Sequence, residues 1–198
     1  MSDQAIAPAW PLETERLVLR PFGEGDLDAL YAIHSDAENV RYLYNGPRDG
    51  EEVRALLGRK IDGAAVSGEG DWLSAAVVLR QTGELIGDCS LQWVSREHRQ
   101  GEVGFIFNRA CHGRGYATEG ARAVLGIAFD DLRLHRVVGR LEPRNTASAR
   151  VLERLGMRCE AHLIENEFVK GEWQSELIYA LLESEWRTRL CGSRMART

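Results

Sequence analysis

The sequence predicts an α+β fold: a mixed, mostly antiparallel central sheet flanked by helices, with one parallel crossover. Two apolar runs, 72–80 and 84–94, are separated only by Gln81-Thr82-Gly83, which has the length and composition of a hairpin turn. A loop with Gly113 and Gly115 precedes a strongly periodic helix and then a strand at 136–141. Strand, helix and strand in that order imply a right-handed parallel connection. A last pair of runs, 157–169 and 173–181, flanks Lys170-Gly171 and reads as a second hairpin.

Taken in order, 16–20 alternates Leu17 and Leu19 against polar neighbours and stops at Pro21, as a first strand would. Residues 26–34 place Leu27, Leu30 and Tyr31 at helical spacing, and a second helix is expected over 51–66, after Gly46-Pro47. The run 102–107, with Gly101 before it, pairs with the first hairpin. Ala117, Ala121, Val124, Leu125, Ala128 and Phe129 then form one apolar helical stripe. Asn145 opens a further helix carrying Ser148, Val151, Leu152 and Leu155, closed by Gly156. With 198 residues, the chain fits one domain over 10–189, with 1–9 and 190–198 as loose tails.

Composition narrows the function. The chain is 44% hydrophobic and 28% charged, which is globular rather than disordered, and its apolar runs fall far short of a membrane span. The start, Met1-Ser2-Asp3-Gln4, lacks the pattern of a signal peptide, so a cytoplasmic location and no membrane partner are expected. Against 30 acidic residues stand 25 basic ones without blocks, which disfavours nucleic acid and suits a cationic partner such as an amine. Cys89, Cys111, Cys159 and Cys191 show no metal-ligand spacing, so no metal is expected, and the thiols are read as free and mostly buried. Cys111 next to His112 is not read as a catalytic pair, because neighbouring side chains diverge. His34, His98, His135 and His162 stand alone, and Trp72, Trp93, Trp173 and Trp186 are assigned to packing of the sheet or its edge.

The stretch His112-Gly113-Arg114-Gly115-Tyr116-Ala117-Thr118 carries the most chemistry, because it sets two glycines between a strand and a helix N-terminus. Such a terminus offers unpaired N–H groups and a positive dipole end, and glycines let a phosphate approach the backbone. Arg114 adds a charge. A dinucleotide fingerprint needs a third glycine where Thr118 stands, and a kinase-type loop needs Gly-Lys-Ser/Thr; neither is present.

With this loop, the chain resembles the GNAT superfamily of acetyl-CoA-dependent N-acetyltransferases, in the branch similar to ribosomal-protein N-terminal acetyltransferases. His112 to Ala117 matches the family's Gln/Arg-x-x-Gly-x-Gly/Ala loop, with His112 in place of the usual first residue. Glu13-Thr14-Glu15-Arg16-Leu17-Val18-Leu19-Arg20-Pro21, Gly101-Glu102-Val103-Gly104-Phe105, Asn145-Thr146-Ala147-Ser148 through Leu155-Gly156-Met157, and Lys170-Gly171-Glu172-Trp173 with Tyr179-Ala180-Leu181-Leu182 match further family segments in order. The resemblance implies a GNAT-like sheet with the parallel crossover at the cofactor site, and acetyl transfer from acetyl-CoA to a primary amine by direct attack on the thioester. The acceptor stays open between a protein N-terminus and a polyamine, amino acid or aminoglycoside. A non-catalytic acyl-CoA sensor and, more remotely, a dinucleotide binder are the other classes; homodimerisation is open.

The same resemblance implies site roles. Glu102 is expected as the base, directly or through water, against a plain solvated charge on a strand face. Backbone groups of Phe105, Ile106 and Phe107 are expected to hold the pantetheine arm, and His112, Gly113, Arg114, Gly115, Tyr116, Ala117 and Thr118 the pyrophosphate. Asn145 is expected near pantetheine, a role compatible with helix capping because the cap uses only the amide oxygen. The family often has a tyrosine one turn after Ser148 to protonate the thiolate, and here Leu152 stands there. Ser148, a hydroxyl on an apolar stripe, is then expected at the sulfur, the competing role being a bond within its own helix.

Overall fold

The computed structural model describes residues 5–195, with side chains through 189. Its strands and helices are β1 (Leu12–Glu13), β2 (Leu17–Arg20), α1 (Leu27–His34), α2 (Gly50–Asp62), β3 (Trp72–Leu79), β4 (Leu85–Ser95) and β5 (Gln100–Phe107), followed by α3 (Tyr116–Gly126), β6 (Arg136–Leu141), α4 (Thr146–Leu155), β7 (Arg158–Val169), β8 (Glu172–Leu182) and α5 (Glu183–Met195). Eight strands form one sheet in the order β1-β2-β3-β4-β5-β6-β8-β7. Every neighbouring pair is antiparallel except β5 and β6, which are parallel. The expected α+β class and its single parallel crossover are therefore present.

The sheet separates two apolar layers. One joins Leu17, Ala75, Val77, Val103 and Phe107 to the α3 stripe of Ala121, Val124 and Leu125 and to Leu152 of α4. The other joins Ala76, Val78 and Leu85 to Leu30 and Ile33 of α1 and Val53 and Leu57 of α2. Alternate strand residues serve opposite layers, as the pleat requires. On the α1/α2 side Lys60 reaches the buried Asp88 of β4 at 2.9 Å, with His34 3.9 Å from its other oxygen. Burial alone would raise the Asp88 pKa, but the Lys60 charge and His34 hold it below the ordinary carboxylate range.

Several elements differ from the sequence reading. The second helix runs from Gly50 to Asp62 rather than over 51–66: the Asp49/Glu52 capping box starts it, and it stops before Gly63, which packs where a Cβ would lie 2.9 Å from the Trp72 carbonyl. The third helix passes into a π-helical turn, Ile127–Asp131. Both β1 and α5 go beyond the elements read from the sequence. Ile6 bridges to Val66, and α5 reaches Met195, so structure enters both stretches read as loose tails; residues 1–4 and 196–198 lie outside the described ones. Cys89 is buried, but Cys111 is half-buried and Cys159 exposed, so burial is not the rule for the described thiols; the Cys191 side chain lies outside them. Trp93 and Trp186 are buried, the latter stacked on Phe129, whereas Trp72 and Trp173 are largely exposed. Among the described residues no helix is long and apolar enough to cross a membrane.

Candidate active site

The site begins where the parallel pair comes apart. Gln100, Gly101 and Glu102 pair with Arg136, Val137 and Val138, and there the ladder stops. β5 continues to Phe107 bonded to β4, while β6 continues to Leu141 bonded to β8. The strands diverge, and one edge of β5 is left open. The bond from the Asn108 N–H to the Ile86 carbonyl sets the antiparallel alternation between β4 and β5. Even-numbered residues of β5 direct their backbone groups at β4, and odd-numbered ones away from it, toward β6 at Gly101 and toward the opening at Phe105 and Phe107. This corrects the expectation for Ile106: its N–H and C=O face β4, and only Phe105 and Phe107 of the three present backbone to the gap.

On the α3/α4 side of the gap lies the glycine loop. Gly113 and Gly115 have φ of +75° and +82°, conformations that side-chain-bearing residues adopt at a steric cost. Gly115 caps α3 with no side-chain bond, and the first helical bond is from the Glu119 N–H to the Gly115 carbonyl. The N–H groups of Tyr116, Ala117 and Thr118 therefore have no partner among the described residues. The Thr118 hydroxyl is also buried without one. An anion fits these donors.

The loop is braced from the β1–β2 turn and from β5. Arg16 donates to the Arg114 carbonyl at 2.9 Å, stacks over Tyr116 at 4.7 Å, and pairs with Glu119 at 2.7 Å. The Thr14 hydroxyl and the Arg16 N–H also bind that carboxylate. Burial would raise the Glu119 pKa, but these bonds keep it low. His112, where the family pattern has Gln or Arg, places Nε2 2.9 Å from the Phe107 carbonyl and ties the loop to the end of β5. Its described contact is thus with the strand, and it occupies an acceptor that otherwise faces the gap. The exposed Arg114 side chain stands beside the loop.

Asn145 caps α4, its Oδ1 accepting from the Ser148 N–H at 3.1 Å. The Ser148 hydroxyl makes no bond to its own helix or to another described residue, and both side chains line a pocket of ≈ 170 Å³. That pocket passes through the gap, so it joins the two faces of the sheet: Phe105, Asn145, Ser148 and Leu152 line it on one side, Tyr44, Arg140, Glu167 and Glu176 on the other.

Glu102 stands one step behind this wall. Arg140 lies across the pocket, with Nε 3.1 Å from Glu102 Oε2 and Nη1 3.0 Å from Glu176 Oε2. Burial is the main influence on Glu102 and raises its pKa; Arg140 counteracts it, and the Glu176 charge adds to the rise. A raised carboxylate suits a base working near neutral pH. Glu176, absent from the sequence reading, is 6% exposed and lines the pocket directly, where the Tyr44 hydroxyl donates to it at 3.4 Å. Partial desolvation, the Glu167 side chain beside it and the charges of Glu176, Glu167 and Glu102 push the Tyr44 phenol well above its usual range. Tyr44 and Glu176 lie 132 residues apart, so the single available signal was Glu176 as a carboxylate on the core-patterned closing strand.

Known proteins share this fold. Residues 16–158 match the family model described as the acetyltransferase (GNAT) domain. The uncharacterized N-acetyltransferase YnaD of Bacillus subtilis (strain 168) is 33% identical over 88% of this chain and 98% of its own. Spermidine N(1)-acetyltransferase of Vibrio cholerae is 25% identical over 88% and 97%. A GNAT-family acetyltransferase structure from Bacillus anthracis superposes with a TM-score of 0.78 at 30% identity, covering 92% of this chain and all of that one. The spermidine N-acetyltransferase from Vibrio cholerae in complex with CoA and spermine shares the fold, with a TM-score of 0.74 at 24% identity over 88% and 99%. From the glycine loop, the parted strands and these relationships together, the chain belongs to the GNAT family of N-acetyltransferases.

Proposed function

We propose that the protein moves an acetyl group from acetyl-CoA to the primary amine of a small cationic molecule, through a single domain spanning 10–189 and acting in the cytoplasm. The observation that carries this is the pocket through the parted strands, with anion-binding backbone on one side and carboxylates on the other. The N–H groups of Tyr116, Ala117 and Thr118, with the Thr118 hydroxyl, fit the pyrophosphate, and the open edge at Phe105 with the Phe107 N–H fits a chain that hydrogen-bonds like a strand. When bound, acetyl-CoA supplies an acyl group activated as a thioester. The Phe105 N–H polarises the acyl oxygen. Glu102 receives the ammonium proton through water, since Arg140 separates it from the pocket. Ser148 donates to the departing sulfur, and a thiol of pKa ~8.5 leaves readily without a stronger acid.

The acceptor class follows from charge. Glu167 and Glu176 line the acceptor side, Glu102 stands behind them, and Arg140 pairs with Glu102 and Glu176. A second positive centre on the acceptor gains from this surplus of negative charge. The spermidine-acetylating relative supports the same reading. The test is a panel of polyamines, amino acids, aminoglycosides and peptides with free N-termini, with free thiol release followed after acetyl-CoA is added. Polyamines should give the highest kcat/KM. Peptides outperforming them would overturn the acceptor class, and a melting-temperature rise with acetyl-CoA but no thiol release would favour a non-catalytic sensor.

A further inference from the structure

The acceptor side of the pocket is bounded by two segments that the sheet ladder does not join. One is the connection between α1 and α2, with Tyr42, Leu43 and Tyr44; the other is the β7–β8 hairpin, with Glu167, Gln174, Ser175 and Glu176. At the hairpin tip, Lys170 and Gly171 have φ of +52° and +85°, the signature of a two-residue primed turn, and Val169 pairs with Glu172 across it. Lysine is an uncommon choice at positive φ, where asparagine or glycine costs less. Here it has a contact that neither of those could make. Its Nζ crosses to the opposite segment and donates to the carbonyls of Val40 and Arg41, each at 3.1 Å.

These carbonyls belong to a stiff turn. The Asp36 carbonyl accepts from the Val40 N–H, Asp36 Oδ1 accepts from the Glu38 N–H, the Leu43 N–H returns to the Val40 carbonyl, and the Val40 side chain is buried. Tyr42 to Tyr44 follow directly. Among the described residues the Lys170 ammonium has no carboxylate partner, so these two carbonyls compensate its partial desolvation, which lowers its pKa. Across the same gap Tyr44 reaches Glu176 at only 3.4 Å, a long contact that would not set a spacing by itself.

We propose that Lys170 is a clasp: by gripping Val40 and Arg41 it fixes where Tyr42 to Tyr44 stand opposite the hairpin, and so sets the fit of the acceptor. This is a positioning role, and it rests on the acceptor pocket read above. It leaves the glycine loop and the edge of β5 untouched, so donor and acceptor kinetics should separate. Lys170→Met keeps the aliphatic stem and removes the donors. Against the best amine of the panel it should raise the acceptor KM roughly tenfold while kcat and the acetyl-CoA KM stay within about twofold. Lys170→Arg should restore most of the loss. Trypsin should cut faster after Arg41 and Arg48 in the methionine variant, because that segment has lost its tether.

An unchanged acceptor KM in an active Lys170→Met variant overturns the proposal, and so does a trypsin rate equal to the parent's. A matched rise in both KM values with a lowered melting temperature also overturns it, since that marks general loosening of the fold. If the parent itself releases no thiol with any amine, the transferase reading has failed, and the acceptor role of the clasp fails with it. That outcome is visible before any variant is made.

Discussion

The two faces of the sheet offer different materials to the two substrates of the proposed transfer. On the α3/α4 face the groups offered are mainly backbone: three unpaired N–H groups at the start of α3, two glycines at positive φ, and the open edge of β5. On the α1/α2 face they are side chains, with Arg140 bridging Glu102 and Glu176 and Tyr44 hydrogen-bonded to the second. Backbone groups tolerate sequence change as long as the turn survives. Side chains are altered by a single substitution. The difference teaches where to look for the donor site and where to look for specificity.

The contrast can be broken at four points. Glu102→Gln should have the largest effect: roughly a hundredfold or more in turnover at low pH, shrinking as pH rises and the amine sheds its proton unaided, with acetyl-CoA affinity unchanged. A loss that is uniform across pH would make Glu102 a positioning group instead. Ser148→Ala should lower turnover by roughly ten- to a hundredfold with donor affinity intact, since a hydroxyl on a leaving sulfur acts mainly in the transition state. Parental turnover in that variant would remove Ser148 from the chemistry.

On the backbone side, Gly115→Ala forces a side chain to φ of +82°. The strain of about 1–2 kcal/mol should weaken acetyl-CoA binding by roughly five- to thirtyfold and leave the acceptor KM unmoved. Equal weakening of both substrates would mean that the faces are not separable. The smallest effect is expected from Arg140→Met. Arg140 holds the Glu102 pKa down against burial, so its removal raises that pKa further. The base is then protonated up to a higher pH, and the acid limb of the kcat/KM profile should move up. A limb that stays in place belongs to another group.

The same contrast explains what could be read from the sequence. The glycine loop was legible because a backbone geometry that favours glycine leaves a local mark, and so were Asn145 and Ser148 at the head of a patterned helix. The two hairpins were legible through Gly83 and Lys170-Gly171. The carboxylate cluster was not, since Tyr44, Arg140 and Glu176 come from three distant segments and no local pattern brings them together. Glu102 is a candidate on its strand position alone, but nothing local marks the arginine in front of it. The orientation of Ile106 depends on the register between β4 and β5, which no local pattern fixes. α5 was missed because Glu183-Ser184-Glu185-Trp186-Arg187 has one large apolar residue to bury, and β1 because its two residues are too short to show a period.

The parted strands leave one more mark on the molecule. Along β5, the amides of Phe105 and Phe107 face open space while those of Gly104 and Ile106 are locked to β4. Protection from deuterium exchange should therefore rise and fall with a period of two residues over this single stretch of an otherwise well-bonded interior sheet. A chain laid along the edge would erase the alternation. β5 thus carries its own occupancy gauge, read residue by residue without any label.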